Sequence, residues 1–461
     1  MTELLIRGAL QLWTGRRGAM RSTAGTDLRV RAGVVAAIGT LQPEPGERVL
    51  DASGCVVYPG WVNTHHHLFQ SLLKGIPAGI DLPLVPWLAA VPVPYRRFFD
   101  REEALRVAAR VGLVELALSG CTTVADHQYH YYPGMRFDAS AVVFDEAARL
   151  GLRFVLCRGG QTVTRGITDG AAPPQAAPET LDQFIAGVEH DVRRFHDPGP
   201  MAMRRVVSAI TTPNWSCTPD ELTLIAREAR RLGIRLHSHL SETEDYVRWA
   251  REVHRCTPLE FVEAHEWVGP DVWFAHMVHL TDAELQRCAG TGTGIAHCPQ
   301  SNARLGSGIA RIPQALALGV PVSLAVDGAA SNEAADMASE AHACWLLHRA
   351  KPRPQGGDAA AITVEDVVHI GSAGGARMLG LEGVGTLEVG RAADIAVYEL
   401  AEPRHFGLHD PGIAPVASGG RTPLRALLVQ GRVVVENDRI PGLDLGALRA
   451  DAARLVGAMR D

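Results

Sequence analysis

Histidine is the side chain most often found on a metal, and this chain sets three in a row at the end of an apolar run. Residues 55–62 are β-prone, interrupted by Pro59 and Gly60, and lead into Asn63-Thr64-His65-His66-His67. Successive side chains of a strand face opposite ways, so His65 and His67 share one face and His66 takes the other. Two imidazoles on one face of a strand end make half of a transition-metal site. The signature recurs at residues 236–242, where His237 and His239 share a face and Glu242 falls in the turn that follows. Two further strand-like runs end at His276 and at Asp327. Buried carboxylates and imidazoles at neighbouring strand ends repel or lose hydration unless a cation or hydrogen bonds hold them. Three strands delivering histidine and one delivering aspartate to a single rim therefore predict a metal centre.

The elements that must position these groups alternate strand and helix. Candidate strands end near His67, Asp126, Cys157, Thr211, His239, His276, His297 and Asp327, with helix signals between them. Residues 100–118 open on Asp-Arg-Glu-Glu and close before Gly120. Thr218 and Thr281 each precede a glutamate by three residues, the layout of a capping box. Eight such units in a row predict an α/β fold, a (β/α)8 TIM barrel with its site at the strand C-termini. Residues 331–379 have a helical pattern that would close the barrel. Short β-prone runs at 4–12, 28–38 and 48–57 return in kind at 385–390, 393–398 and 424–435. Neither end is long enough to bury a core alone. The expected organisation is a discontinuous β-sandwich from 1–58 and 383–461, with the catalytic barrel, 59–382, inserted. Gly- and Pro-rich regions 74–98 and 159–180 are expected as loops over the site.

Composition narrows the function classes. Hydrophobic content of 46% and charged content of 21% are those of an ordinary globular chain. The formal net charge of −6 gives no reason to expect nucleic acid or an anionic membrane as partner. No uninterrupted apolar run approaches the ~20 residues of a membrane span, and residues 1–7 lack a signal-peptide layout. Eight scattered cysteines without a Cys-x-x-Cys predict reduced thiols in a cytoplasmic protein. A homo-oligomer is expected on general grounds.

The stretches Pro-Gly-Trp-Val-Asn-Thr-His65-His66-His67, His239-Leu-Ser-Glu242, Ala275-His276, His297-Cys-Pro-Gln-Ser-Asn302 and Val326-Asp327-Gly-Ala-Ala-Ser-Asn332 together resemble the deaminase branch of the amidohydrolase superfamily, over nearly the whole chain. The resemblance implies one divalent metal ion, Zn2+ by default and Fe2+ in some relatives, held by His65, His67, His239 and Asp327. It implies Glu242 and His276 as the proton-transfer pair, with Asp327 and His276 taking a proton from the attacking water. Glu242 then protonates the ring nitrogen beside the amino-bearing carbon. His237, deeper on the same face, is expected to be structural. Two-metal members of the superfamily bridge their ions with a carboxylated lysine on strand four. The only lysines here are Lys74 and Lys351, neither near that strand, which leads to the expectation of a single ion.

Within the deaminases the nearer resemblance is to those acting on 2-amino-4-oxo fused heterocycles, isoxanthopterin first and 8-oxoguanine next. It is carried by residues 63–75, Val124-Ala125-Asp126-His127, Tyr131-Tyr132-Pro133-Gly134-Met135 and His405-Phe406-Gly407-Leu408-His409-Asp410-Pro411. A flat bicyclic substrate needs an aromatic wall and groups for its carbonyl and ring nitrogens. Gln70 can offer both a donor and an acceptor, and Trp87 and Tyr132 can stack. Asn302 is expected to shape the rim, and His127, His130 and His279 to lie on the surface or behind the site. Residues 211–217, after strand four, match neither deaminase group. Hydrolysis of amino- or chloro-triazines is the rival chemistry on the same site, and a metal-free binding protein the rival from another class.

Overall fold

The computed structural model describes residues 3–163, 178–350 and 357–460. Its N-terminal part folds as six short strands: β1 (Leu4–Arg7), β2 (Gln11–Leu12), β3 (Asp27–Arg31), β4 (Val34–Gly39), β5 (Arg48–Asp51) and β6 (Cys55–Pro59). Eight strands with intervening helices follow: β7 (Trp61–Asn63), β8 (Cys121–Gln128), β9 (Arg153–Arg158), β10 (Arg204–Ala209), β11 (Leu236–Leu240), β12 (Val272–His276), β13 (Gly294–His297) and β14 (Val322–Leu324). The chain ends with β15 (Ile395–Glu399), β16 (Leu424–Val429), β17 (Arg432–Glu436) and a helix, Leu445–Arg460.

Strands β7 to β14 form one parallel sheet in chain order, and the sheet closes on itself just beyond β7 and β14. There Val326 N donates to Asn63 Oδ1 (3.0 Å) and Asp327 N to the His65 carbonyl (3.1 Å). The result is a (β/α)8 barrel. Small and branched side chains fill its interior, among them Val62, Ala125, Val207, Ala209, Ala296 and Ala325 around the large Trp273. Helices Pro219–Arg231 and Asp282–Thr291 start at the capping boxes Thr218/Glu221 and Thr281/Glu284. Helix Glu102–Leu118 has no side-chain cap; Asp100, two residues ahead, binds His130 instead.

The remaining strands make two sheets, ordered β4-β3-β1-β5 and β17-β16-β15-β6-β2. β15 pairs antiparallel with β6, so the last part of the chain completes a sheet begun by the first. Leu4, Ile6, Leu28, Val30, Val57, Ile395, Val397 and Leu428 fill the space between them. The apolar run at 55–62 proves to be two strands: β6 belongs to this sheet and β7 to the barrel, with Gly60 at the switch. A Cβ on Gly60 would sit 2.2 Å from the Thr122 methyl, so only glycine lets the chain pass this close to β8.

Several segments depart from the sequence expectation. Region 74–98 is largely helical, with helices Leu84–Ala90 and Pro92–Tyr95. Proline at a helix start is favourable rather than disruptive, and Leu84 and Trp87, one turn apart, are buried. Of the expected loop 159–180, residues 164–177 lie outside the described residues, as does Lys351. Residues 385–390 form no strand. The C-terminal helix joins neither sheet: it buries Leu448 and Leu455 and pairs Arg454 with Glu103 of helix Glu102–Leu118. No helix among the described residues is long and apolar enough to cross a membrane.

The barrel and the terminal sheets are tied by a buried ion pair. Arg153, which opens β9, reaches Asp394 at 3.1–3.3 Å, and it also donates to the Met201 and Ala202 carbonyls. Both partners are buried. Removing one leaves the other charged and desolvated, so Asp394→Ala is expected to cost about 3–5 kcal/mol of stability, read from the denaturation midpoint at unchanged m-value.

Candidate metal centre and active site

The turn after β7 delivers His65, His66 and His67 in the expected alternation. His66 faces away and donates from Nδ1 to the Asp327 carbonyl (2.5 Å). His65 and His67 face the barrel axis with their rings 4.7 Å apart. β11 adds His239, whose Nε2 lies 3.2 Å from His67 Nε2. Beyond β14, Asp327 places Oδ1 3.2 Å from His65 Nε2 and 3.4 Å from His67 Nε2. Asp327 holds a left-handed backbone (φ 62°), as does His276 (φ 73°). Strain of this kind in non-glycine residues persists where surrounding contacts over-determine it.

Each imidazole of this group is oriented from behind. His67 Nδ1 donates to the His127 carbonyl (2.8 Å) and His239 Nδ1 to the Thr211 carbonyl (2.7 Å). His65 Nδ1 meets His237 Nε2 at 2.8 Å, and His237 Nδ1 meets the Trp273 carbonyl at 3.0 Å. A carbonyl can only accept, so His237 carries its proton at Nδ1 and accepts from His65 at Nε2. All three facing Nε2 atoms are thereby lone pairs. His237 is thus structural in a specific sense: it sets the tautomer of His65, and it rests on the Trp273 indole, 4.6 Å below.

Burial keeps His65 and His239 well below the usual imidazole range and takes His237 down to about 3. Burial alone would raise the Asp327 carboxyl, but its close approach to His65 and the surrounding imidazoles holds it well below the carboxylate range. Its other oxygen, Oδ2, accepts from Ser301 Oγ (2.6 Å) and Ser331 Oγ (3.1 Å). Three neutral nitrogens and one carboxylate oxygen therefore converge with net charge −1, and His65 Nε2 is buried without a hydrogen-bond partner. That donor set fits a divalent Zn2+ or Fe2+ ion, and His65, His67, His239 and Asp327 are the residues that can hold it.

Glu242 and His276 stand beside this quartet, Glu242 Oε2 lying 3.6 Å from His276 Nε2. Asn302 faces the opposite nitrogen of His276 (Nδ1 to Oδ1, 2.9 Å), leaving Nε2 toward the site. Burial pushes the Glu242 carboxyl up to about 7, against the pull of His276. A carboxyl that titrates near neutrality can both give and take a proton at working pH.

The expected substrate residues are distributed unevenly. Gln70 is buried next to the centre: its amide packs against Gly328, the neighbour of Asp327, and its Nε2 donates to the Tyr129 hydroxyl (3.2 Å). Trp87 is buried in helix Leu84–Ala90, beside Gly79. Tyr132 meets the His130 ring edge-on and is bound to Asp100. The aromatic ring against the quartet is Tyr129, 5.0 Å from the His67 ring. It went unnoticed because β8 runs two residues past Asp126, which carries His127 and Tyr129 up to the site. His127 is fully buried, 4.9 Å from the His239 ring, not at the surface. His130 is buried as well, while His279 donates to the Ser307 carbonyl. Ser301 and Ser331, missed as well, sit in the two asparagine-ended motifs quoted above. In the unmatched 211–217 segment, Thr211 orients His239, and Asn214 is buried with both amide atoms unpartnered.

Comparison with known proteins follows from this geometry. The sequence pattern described as Amidohydrolase family matches residues 56–434. An isoxanthopterin deaminase from an unidentified prokaryote is 53% identical over 98% of this chain and 96% of its own. An 8-oxoguanine deaminase of Pseudomonas aeruginosa is 37% identical over 91% of each. Among solved structures, atrazine chlorohydrolase from Arthrobacter aurescens TC1, complexed with zinc, superimposes with a TM-score of 0.89 at 28% identity, covering 98% of this chain and 100% of its own.

Because His237 orients a ligand without touching the ion's position, His237→Phe is expected to weaken zinc affinity by roughly 10–100-fold while preserving the fold. Chelator competition on the purified variant measures this, and unchanged affinity would show that His65 needs no such partner.

Proposed function

The chain belongs to the amidohydrolase family, and on that premise we propose that it is a metal-dependent hydrolytic deaminase that replaces the 2-amino group of isoxanthopterin with oxygen and releases ammonia. The observation that carries the reaction is Glu242, a buried carboxyl poised near neutrality at 3.6 Å from His276 and beside the N3O quartet. The substrate is supported by the near-full-length likeness to an isoxanthopterin deaminase.

A single ion, when bound by His65, His67, His239 and Asp327, supplies the positive charge that acidifies water towards neutrality. Asp327 contributes more than a ligand. With Oδ2 held by two serine hydroxyls, its Oδ1 stays directed at the centre, where with His276 it takes the proton of the attacking water. Glu242 delivers a proton to the ring nitrogen beside C2, so that electron density leaves the carbon under attack. The proton that Asp327 and His276 took from the water goes to the departing amine, and the hydroxyl proton of the adduct returns to Glu242. Water adds, ammonia leaves, and the ring keeps the oxygen. Gln70 is assigned to the edge of the heterocycle, with Trp87 and Tyr132 on the side of the entry. Lys74 is engaged by Glu115, and β10 contains no lysine, which supports one catalytic ion rather than a lysine-bridged pair.

All eight cysteines are free thiols, seven of them buried. They suit a reducing compartment, and we place the enzyme in the cytoplasm as a homo-oligomer, the commonest arrangement among enzymes. No part of this reading calls for nucleic acid or a membrane.

Glu242→Gln keeps the shape and the ligands but removes the transferable proton. It is expected to retain zinc and lose about 10²–10⁴-fold in kcat; full activity would remove Glu242 from the mechanism. Ammonia release by zinc-loaded protein, with the ultraviolet spectrum followed, should be fastest on isoxanthopterin among isoxanthopterin, pterin, 8-oxoguanine and guanine. Preference for 8-oxoguanine would move the substrate and keep the mechanism. Silence on all four, with metal present, would refute the substrate assignment.

A further inference from the structure

Strand β13 carries a histidine that the reaction above does not use. Its alternation sends Ala296 into the barrel interior and turns Ile295 and His297 outward to the helix layer. Helix Met337–Ala350 passes there and presents Cys344 and His348, four residues apart and so on one face. His297 Nε2 and His348 Nε2 are 3.0 Å apart. One ligand atom from each of the three residues lies within 4.8 Å of the others. All three are buried, at 1%, 0% and 2% exposure for His297, Cys344 and His348. The corresponding separations in the catalytic quartet are 3.2–3.4 Å, so the imidazole pair of the outer trio is at least as close, and the quartet's ligand atoms likewise lie within 4.8 Å of one another, on the other side of the barrel wall.

We propose that His297, Cys344 and His348 form a second, non-catalytic site for a thiophilic cation, with Zn2+ as its natural occupant. The donor set is one sulfur and two imidazole nitrogens with no oxygen, which selects against Mg2+ and Ca2+. Zinc–nitrogen bonds of about 2.0–2.1 Å in a tetrahedron separate two nitrogens by about 3.3 Å. The two rings need to part by only a few tenths of an ångström. On loading, the Cys344 thiol gives its proton to solvent and its sulfur binds the ion. The imidazole that donates at Nε2 in the ion-free pair shifts that proton to Nδ1. No group changes oxidation state. The loaded site carries one positive charge, with Glu340 one turn earlier on the same helix and fully buried. The ion would staple β13 to the outer helix without entering the active site.

Metal-stripped protein reloaded with Zn2+ is expected to hold two ions per chain. Cobalt substitution separates the sites, because only a cysteine-containing site gives thiolate-to-cobalt charge-transfer absorption in the near ultraviolet. Cys344→Ser should abolish that band and lower the count to one, while the visible cobalt bands of the catalytic quartet and turnover persist. If that variant does not fold, the native protein and His348→Gln decide by the same two readouts. One ion per chain at saturation, with no near-ultraviolet band while the visible bands are present, would overturn the proposal. Neither readout uses turnover, so its failure is distinct from failure of the deaminase assignment.

Discussion

A buried imidazole offers a cation its lone pair only if the ring proton is held on the other nitrogen. In this protein that constraint is met three times, twice from a neighbouring strand or the loop leaving it and once, for His65, from across the barrel. The His127 carbonyl on β8, the Thr211 carbonyl after β10 and the His237 ring on β11 each accept one hydrogen bond. The register of the barrel therefore decides the chemistry of the rim. A slip of one residue would turn the histidines to the other face and separate them from their acceptors.

The aspartate completes the set in a different way. Among three neutral rings, a lone carboxylate in the interior needs its second oxygen satisfied as well as its first. Ser301 does this from the short helix Pro299–Arg304 after β13, and Ser331 from the turn after β14. Asn302, beside Ser301, orients His276. The segments beyond the last strands thus fix the carboxylate and the adjacent imidazole together, and Glu340 anchors them from the outer helix through Gln300 and Asn332.

The barrel was legible in the sequence because strand parity, capping boxes and polar strand ends all follow local rules. His65 and His67 could be assigned to one face from spacing alone, as could His237 and His239, and the family resemblance then chose His239 and Asp327. What escaped depends on lengths that local pattern does not specify. β8 extends to Gln128, and this alone brings His127 and Tyr129 to the centre in place of Tyr132. The proline-rich stretch before residue 98 looked like loop, yet prolines at helix starts with Leu84 and Trp87 one turn apart bury a helical face. The terminal helix was hidden because Leu448 and Leu455, two turns apart, form too sparse a stripe until helix Glu102–Leu118 is there to receive them.

The seam of the barrel lies at the candidate metal centre. His66 and Asp327, 261 residues apart along the chain, meet through main chain at the point where first and last strands join. Contacts this distant are the slowest to form, since the whole intervening loop must be ordered before they contribute. The quartet consequently does not exist in any intermediate that lacks the final strand. A chain truncated or stalled before β14 has the histidines and cannot assemble the site around them. Assembly of the quartet is thereby coupled to completion of the fold, because its one carboxylate arrives only with the last strand.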